Sequence, residues 1–164
     1  MLQSVKLTDV AKVVMGCAPA ALASTAGAGD YVSLKGFDRL TILVPVLNGT
    51  TVTGGVVTLK QATDVAGTSE KALSFSKALR NIDCAAADTL AEFTVSSDTF
   101  TTDTTNSKQL LYVIEVKAED LDRANGFDCV RFNSASMANA VGSAVYVLHG
   151  ARYQSPLATA AITD

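Results

Sequence analysis

Tryptophan is absent from this 164-residue chain, histidine occurs once, proline occurs three times, and charged side chains are scarce. Charged residues make up 18% of the total, below the usual quarter, so long helices rich in Glu, Lys and Leu are not expected. Lysine and arginine occur only singly and the net charge is −3, whereas nucleic-acid-binding proteins carry clustered cations. We therefore expect no direct binding to DNA or RNA.

Cysteine is sparse as well. Cys17, Cys84 and Cys129 lie far apart and match no zinc or redox spacing, which predicts buried free thiols in a protein made in a reducing cytoplasm. The segment VMGC resembles a lipoprotein cleavage box, but Asp9 and Lys12 interrupt the apolar stretch before it. No run approaches the eighteen or so apolar residues that span a bilayer. Neither a signal peptide nor a membrane span is expected.

Thr, Ser, Ala and Gly take the place of the missing charges, and β-branched residues are dense from Tyr31 onward. The clearest strand is LLYVIEVKA, whose successive side chains alternate between two faces; VVTLKQATD alternates in the same way. RLTILVPV is a further β-rich run, in which Pro45 lacks a ladder donor and so predicts an edge strand or a bulge. Asn48-Gly49 predicts a hairpin with a type I′ turn, since both residues tolerate positive φ.

The segment SEKALSFSKALRNID, Ser69 to Asp83, is ambiguous between strand and helix. Its apolar residues fit either a period of two or one helical face, and we predict strand because its neighbours are strands. The segment EFTVSSDTFTTDTTN indicates strand, turn and strand, and GFDCVRF and SAVYVLHGARY complete the set. The total of about eight strands, at these spacings, implies an all-β sandwich or barrel.

The two ends of the chain differ from its middle. Residues 1–30 include the stretch CAPAALASTAGAGD and are predicted to form an extended N-terminal arm. Residues 31–153 are predicted to form the β-sandwich domain, and residues 154–164 a C-terminal tail. The tail is apolar and contains proline, which suits docking on a partner. The arm and the tail are therefore the predicted contact elements.

The tripeptide Gly-Phe-Asp occurs twice, at residues 36–38 and 126–128, each time before a β-rich run. We interpret both copies as one local structural solution. The glycine ends a loop, the phenylalanine plugs the end of the sandwich, and the aspartate fixes the turn. Neither copy points to chemistry.

Residues that could carry chemistry are few. His149 has no Gly-x-Ser-x-Gly elbow to act with, and TAGAGD lacks the lysine of a phosphate loop. The segment AEDLDRANGFD fails the EF-hand spacing and is predicted to be a helical turn closed by Asn-Gly, although an irregular ion site at Asp120, Asp122 and Asp128 stays open. We predict that the protein is not an enzyme and has no catalytic, cofactor-binding or metal-binding residues.

Several segments, taken in order, resemble a family of small virion proteins of tailed bacteriophages that are encoded near the major capsid protein. The resemblance covers roughly residues 29–153. It is carried by GDYVSLKGFDRLTI, VVTLKQATD, TFTTDTTNSKQLLYVIEVKAEDLDRANGFDCVRF and the terminal VYVLHGARY. These segments are strand and turn elements, so no functional residue is transferred with them.

The resemblance implies a jelly-roll-like antiparallel β-sandwich and a structural role as a capsid decoration or cement protein. The implied partners are the major capsid protein and further copies of this chain, as a dimer or trimer, with no cofactor and no membrane. The implied location is the capsid exterior of the virion, after synthesis in the host bacterial cytoplasm. Two alternatives stay open: a neck, tail or head-fibre protein of the same virion, and a receptor- or carbohydrate-binding β-sandwich. The absence of Trp disfavours the second of these.

Overall fold

The computed structural model describes residues 6–21 and 27–151, and nearly all of its regular structure is β. A four-residue helix, α1 (Leu7–Val10), and two 3-10 turns (Ala118–Asp120 and Arg123–Asn125) are the exceptions in this part of the chain. The strands are β1 (Ala11–Ala21), β2 (Gly27–Ala28), β3 (Val32–Ser33), β4 (Phe37–Asn48), β5 (Val56–Ala62), β6 (Lys71–Leu73), β7 (Lys77–Asn81), β8 (Ala91–Thr94), β9 (Phe100–Thr101), β10 (Gln109–Lys117), β11 (Cys129–Ser134) and β12 (Ala140–Ala151). The all-β prediction is confirmed.

The strands form two antiparallel sheets packed as a sandwich. Sheet I has the order β1-β12-β4-β10-β7-β8, and sheet II has the order β2-β11-β5-β6, with β3 also paired to β11 and β9 to β5. Four nested pairings run through both sheets: β1 with β12, β2 and β3 with β11, β4 with β10, and β5 with β6. This is one long hairpin rolled up on itself, which is the jelly-roll arrangement that the sequence resemblance implied.

The hydrophobic core lies between the sheets. Along β4, Leu40, Ile42 and Val44 are almost fully buried, while Thr41 and Leu43 point the other way, as strand alternation requires. The excursion from β7 to β9 adds the rings of Phe93 and Phe100 to this core. Together with Phe75, which precedes β7, and Tyr112 of β10 they form a cluster of rings whose centroids are 5.1–6.4 Å apart, mostly edge to face.

Part of the predicted N-terminal arm is a strand of the sandwich. β1 pairs with β12 from Ala11 opposite His149 to Ala21 opposite Val141, with bulges after Met15. Its Ala, Gly and Pro content is poor in β formers, so the sequence did not reveal a strand that exists through its pairing with β12. The sheet therefore begins well before the predicted boundary at residue 30. The predicted tail, residues 154–164, lies outside the described residues.

Two local predictions for β4, a hairpin turn at Asn48-Gly49 and an edge strand or bulge at Pro45, are wrong. Asn48-Gly49 does not form a hairpin, because β4 belongs to sheet I and the next strand, β5, to sheet II. Pro45 lies neither on an edge strand, since β4 runs between β12 and β10, nor at a bulge, since each of these pairings keeps a single register along β4. Pro45 pairs with Leu111 of β10, whereas the ladder to β12 passes from Val46 directly to Leu43. The backbone N–H that Pro45 lacks is thus accommodated by a gap in the hydrogen-bond ladder between β4 and β12.

Two further local predictions agree with the structure. The ambiguous segment from Ser69 to Asp83 contains β6 and β7 and no helix. The acidic segment before Gly126 forms the two 3-10 turns, and Gly126 ends the second one at a φ of 84°. Positive φ at that position suits glycine, so the predicted closure by Asn-Gly is confirmed.

Candidate assembly surface

The outer face of sheet I is unusually apolar. Side chains that alternate away from the core on β4, such as Leu43, Pro45 and Leu47, point out of the sandwich. The neighbouring strands place further apolar residues beside them. We call this set the apolar patch: Val13 and Met15 of β1, Leu43, Pro45 and Leu47 of β4, Leu79 of β7, Leu111 and Val113 of β10, and Val141, Val145 and Val147 of β12.

Register makes the patch continuous across the sheet. Met15 lies opposite Val145, Val145 opposite Leu43, Leu43 opposite Val113, and Val113 opposite Leu79. Directly opposed side chains on one face lie within contact distance, so these five form an unbroken apolar row over five strands. At the margins of the patch the side chains are open to solvent: the relative exposure is 51% for Met15.

Sheet II gives an internal comparison, because its outer face follows the ordinary pattern of a solvated sheet. Thr58 of β5 lies opposite Asn133 of β11, whose amide nitrogen donates to the threonine hydroxyl at 3.1 Å. Lys60 lies opposite Arg131, and the Glu70 carboxylate contacts both, at 3.8 and 2.7 Å. One face of the sandwich is therefore polar and internally paired, and the other is apolar.

Two hollows flank the patch along the strands. One has a volume of about 440 Å³ and an apolar rim that includes Pro19, Pro45, Leu47, Leu111 and Val141. The other, of about 470 Å³, lies where the outer face becomes charged. Its lining combines three cations with three carboxylates, together with His149: Arg39, Lys77 and Lys117, and Glu92, Glu115 and Asp120. The surface thus changes from apolar to charge-balanced along one direction.

Comparison with known proteins gives little beyond this geometry. No family model matches the chain, and no curated protein matches it. The crystal structure of SPBc2 prophage-derived protein YomS is similar at a TM-score of 0.45 and 14% sequence identity, covering 84% of this chain and 92% of that chain. A similarity of this degree carries no argument about fold or function.

His149, the single histidine, lies on the outer face of sheet I near the end of β12. Its Nε2 is 3.1 Å from the hydroxyl oxygen of Thr41 on β4. The ring lines the charged hollow, where it stands beside Arg39 across the ladder. The observed contact is a cross-strand hydrogen bond, as is usual for polar pairs on a sheet.

The three aspartates considered for an ion site have separate partners. The Asp120 carboxylate accepts from the backbone N–H of Lys117 at 2.9 Å, and that of Asp128 from the thiol of Cys129 at 3.1 Å. The Asp122 carboxylate contacts the Lys71 ammonium and accepts hydrogen bonds from the side-chain amide of Asn125, and both contacts lower the pKa of Asp122. In the described ranges, no three His, Cys, Asp or Glu side chains come together as a metal site requires.

All three cysteines are free thiols, as predicted, but only one of them is fully buried. Cys129 is 1% exposed, whereas Cys17 and Cys84 are half-buried. Burial, followed by the negative charge of Asp30, raises the pKa of Cys17. Within residues 6–21 and 27–151, no helix is both long and apolar enough to cross a bilayer.

The apolar patch was missed at the level of sequence, although a signal for it exists. The run RLTILVPVL is apolar at nearly every position, whereas a strand with one solvated face alternates. A continuous apolar run indicates a strand that is covered on both faces. Here the core covers one face of β4, whereas Pro45 and Leu47 on the other face are exposed.

Proposed function

We propose that this protein is a structural component of a tailed-bacteriophage virion, which binds the outside of the capsid lattice and reinforces it as a cement or decoration protein. In this role it works by assembly and not by catalysis. The observation that carries the proposal is the apolar outer face of sheet I. A sandwich that presents a contiguous apolar patch on one outer face is suited to being covered by another protein surface.

Two further findings support the proposal. The segments that resemble small virion proteins correspond to β4, β5, β10, β11 and β12, so they make up the central strands of both sheets. The jelly roll is a common fold of viral capsid proteins, although lectins and cupins use it too, so fold alone decides nothing. A carbohydrate-binding module usually presents exposed aromatic platforms, whereas the large exposed hydrophobic side chains in the described part of the chain are Leu, Val, Ile and Met.

Contact with the capsid lattice is assigned to the chain ends. Helix α1 precedes β1 with none of its residues buried, and its side chains Leu7 and Val10 are 60% and 47% exposed. Two exposed apolar side chains of this kind can insert between capsid subunits, and repetition over the lattice multiplies a weak single contact into high avidity.

The test is reconstitution on virus particles that lack the protein. Purified full-length protein is added to such particles, and bound copies are counted by gel densitometry and located by cryo-electron microscopy. We expect a stoichiometric array between major-capsid subunits and greater resistance of the particle to heat. A variant with both Leu7→Ser and Val10→Ser should bind more weakly, while Leu90→Ser, which changes a side chain 40% exposed elsewhere on the surface, should bind normally.

The location of the bound copies decides between the virion roles. Density at a single vertex or along the tail would replace the decoration role with a neck, tail or head-fibre role. If the particles bind no protein at all, the virion assignment fails.

A further inference from the structure

The apolar patch differs from ordinary surface in its extent as well as its composition. Its widest row crosses five strands, which at a spacing of about 4.8 Å spans about 19 Å. Along β12 it runs from Val141 to Val147, or about 20 Å at about 3.4 Å per residue. The outline is therefore at most about 400 Å², close to the apolar share of the roughly 800 Å² that each partner buries in a standard interface.

The shape of the patch selects the kind of partner. A single helix is about 10 Å wide and a single strand about 5 Å, so either would leave at least about half of the widest row open to water. Another β-sheet covers the full width, because two sheets stack face to face about 10 Å apart and interdigitate their side chains. The best-fitting occupant is thus a second flat, apolar sheet.

The charges in the hollow at the end of the patch also favour a second copy of this chain as the partner. The charged hollow carries three cations and three carboxylates, so its formal charges cancel. A surface of one sign would favour a partner of the opposite sign, whereas a balanced surface can meet a copy of itself and pair unlike charges across the contact. Lys77 and Glu92 already pair within one copy, at 2.8 Å.

We propose that a second copy of this chain covers the apolar patch, so that two molecules pack sheet I against sheet I about a two-fold axis. This inference rests on the proposed assembly function, since it names the partner of the same surface. An isologous contact of this kind buries the same residues on both molecules, so each substitution in the patch enters the interface twice.

The experiment measures the mass of the full-length protein by sedimentation equilibrium at micromolar concentrations. We expect twice the chain mass of 17.0 kDa. The test variant combines Leu47→Glu and Val141→Glu, whose side chains are 53% and 45% exposed in the single chain, so the fold can accept the change. We expect its dissociation constant to rise at least about 100-fold, because two carboxylates per copy would be buried without partners.

A matched control on the other sheet keeps the result specific. Val56→Glu changes the same residue type at a comparable exposure, 42%, on the polar outer face of sheet II, and should leave the dimer intact. Circular dichroism of all variants confirms the fold. A monomeric wild type, a higher oligomer, or a dimer that tolerates the double substitution would each overturn the inference.

Particle binding separates this inference from the proposed function. If the wild type is monomeric and the double variant no longer binds particles, the capsid lattice covers the patch, and only the dimer inference fails. If the wild type is a patch-dependent dimer that binds no particle, the dimer stands and the virion role fails. If the wild type is a dimer, and the double variant is a monomer that still binds particles, the dimer inference and the virion role both stand. The contact with the capsid lattice then lies outside the apolar patch.

Discussion

Asn48 is a single buried residue that connects the end of β4 to a distant loop through hydrogen bonds. Its side chain is 1% exposed, and its amide nitrogen donates to the carbonyl oxygens of Asp103 and Thr105, each at 2.9 Å. Its backbone N–H donates to the carbonyl of Lys108, also at 2.9 Å. These three bonds tie the end of β4 to the loop before β10. The residue that sequence pattern assigns to a hairpin turn is therefore a cross-link between loops.

Replacing Asn48 with alanine should destabilise the protein by about 1–3 kcal/mol, because its buried side chain donates two hydrogen bonds that alanine cannot make. The free energy of unfolding is measured by urea denaturation followed by circular dichroism. The control is Asn133→Ala on the outer face of sheet II, where a half-buried amide makes one bond to Thr58 and the loss should stay within about 1 kcal/mol. Equal effects of the two changes would contradict the assigned role.

Cys129 should be chemically silent in the folded protein. Its side chain is 1% exposed, and burial, reinforced by the hydrogen bond to the Asp128 carboxylate, raises the pKa of the thiol to about 12. A thiol reacts as its thiolate, so at about pH 8 Cys129 should resist a disulfide reagent such as DTNB until the protein is unfolded in urea. Peptide mass spectrometry identifies the labelled residue, and rapid native labelling of Cys129 would refute the prediction.

The raised pKa of Cys129 also determines how the free energy of unfolding changes with pH. The folded state holds the thiol proton more tightly than the unfolded state, whose thiol titrates near about 8.5. The stabilisation is complete below that pH and is lost as the pH rises through the folded value. In Cys129→Ala, stability should consequently decline less between these pH values than in the wild type, as measured by urea unfolding at each pH.

The Gly-Phe-Asp motif marks what can be predicted residue by residue. Gly36 and Gly126 have φ of 90° and 84°, and the phenylalanines that follow are 6% and 7% exposed, which agrees with the loop-ending glycine and the buried phenylalanine of that interpretation. Backbone freedom and burial are local preferences, so local sequence carries them. The bonds of Asn48 depend on a loop more than fifty positions later, and no local pattern encodes them.

At the scale of elements, strands rich in β-branched residues were predictable and β1 was not. β4, β5 and β10 combine strong β propensity with buried faces. β1 contains Gly16, Pro19 and four alanines, and it is a strand because β12 offers it a ladder and a place to pack. Tertiary pairing overrides weak propensity here, so the predicted arm became an edge strand.

Gly16 is the position where β1 fits against the core. A Cβ added there would lie 2.3–2.6 Å from ring atoms of Tyr146, which is fully buried and whose hydroxyl accepts from the backbone N–H of Phe132 at 2.8 Å. Burial raises the pKa of this tyrosine, so its phenol keeps its proton at neutral pH. The ring therefore joins β12, β11 and the edge strand at one point.

Gly16→Ala should destabilise the protein by about 1–3 kcal/mol, since the added methyl must displace a buried ring. Thermal and urea unfolding measure the loss, and tyrosine fluorescence, unobscured because the chain has no Trp, reports the shifted ring. Ala18→Val on the same strand adds more volume at an exposed position and should change stability by less than about 0.5 kcal/mol. If the two substitutions cost the same, the contact with Tyr146 is not what seats β1.

At the scale of the whole molecule, the nested pairings make the ends of the chain depend on each other. The first long strand, β1, pairs with the last, β12, and both belong to sheet I, which covers one side of the core. Such long-range pairs form only after large loops close, so we expect folding in milliseconds to seconds. This distant pairing is also why strand order could not be deduced from sequence patterns. Periodicity locates a strand but does not name its partner.

Deletions from the N-terminus test which part of the predicted arm belongs to the fold. Removing residues 1–10 takes away α1, which buries none of its side chains, and should leave thermal stability within a few degrees of the wild type.

Removing residues 1–21 also takes away β1. This removes the hydrogen-bonding partner of β12 and uncovers Tyr146 and Leu148, both of which are fully buried. We expect this longer deletion to unfold at a much lower temperature or to aggregate through the exposed edge of β12. Circular dichroism melts and light scattering distinguish the two variants. If both deletions were equally stable, β1 would be an arm that rests on the sandwich, whereas a drop confined to the longer one identifies it as a strand that closes the jelly roll.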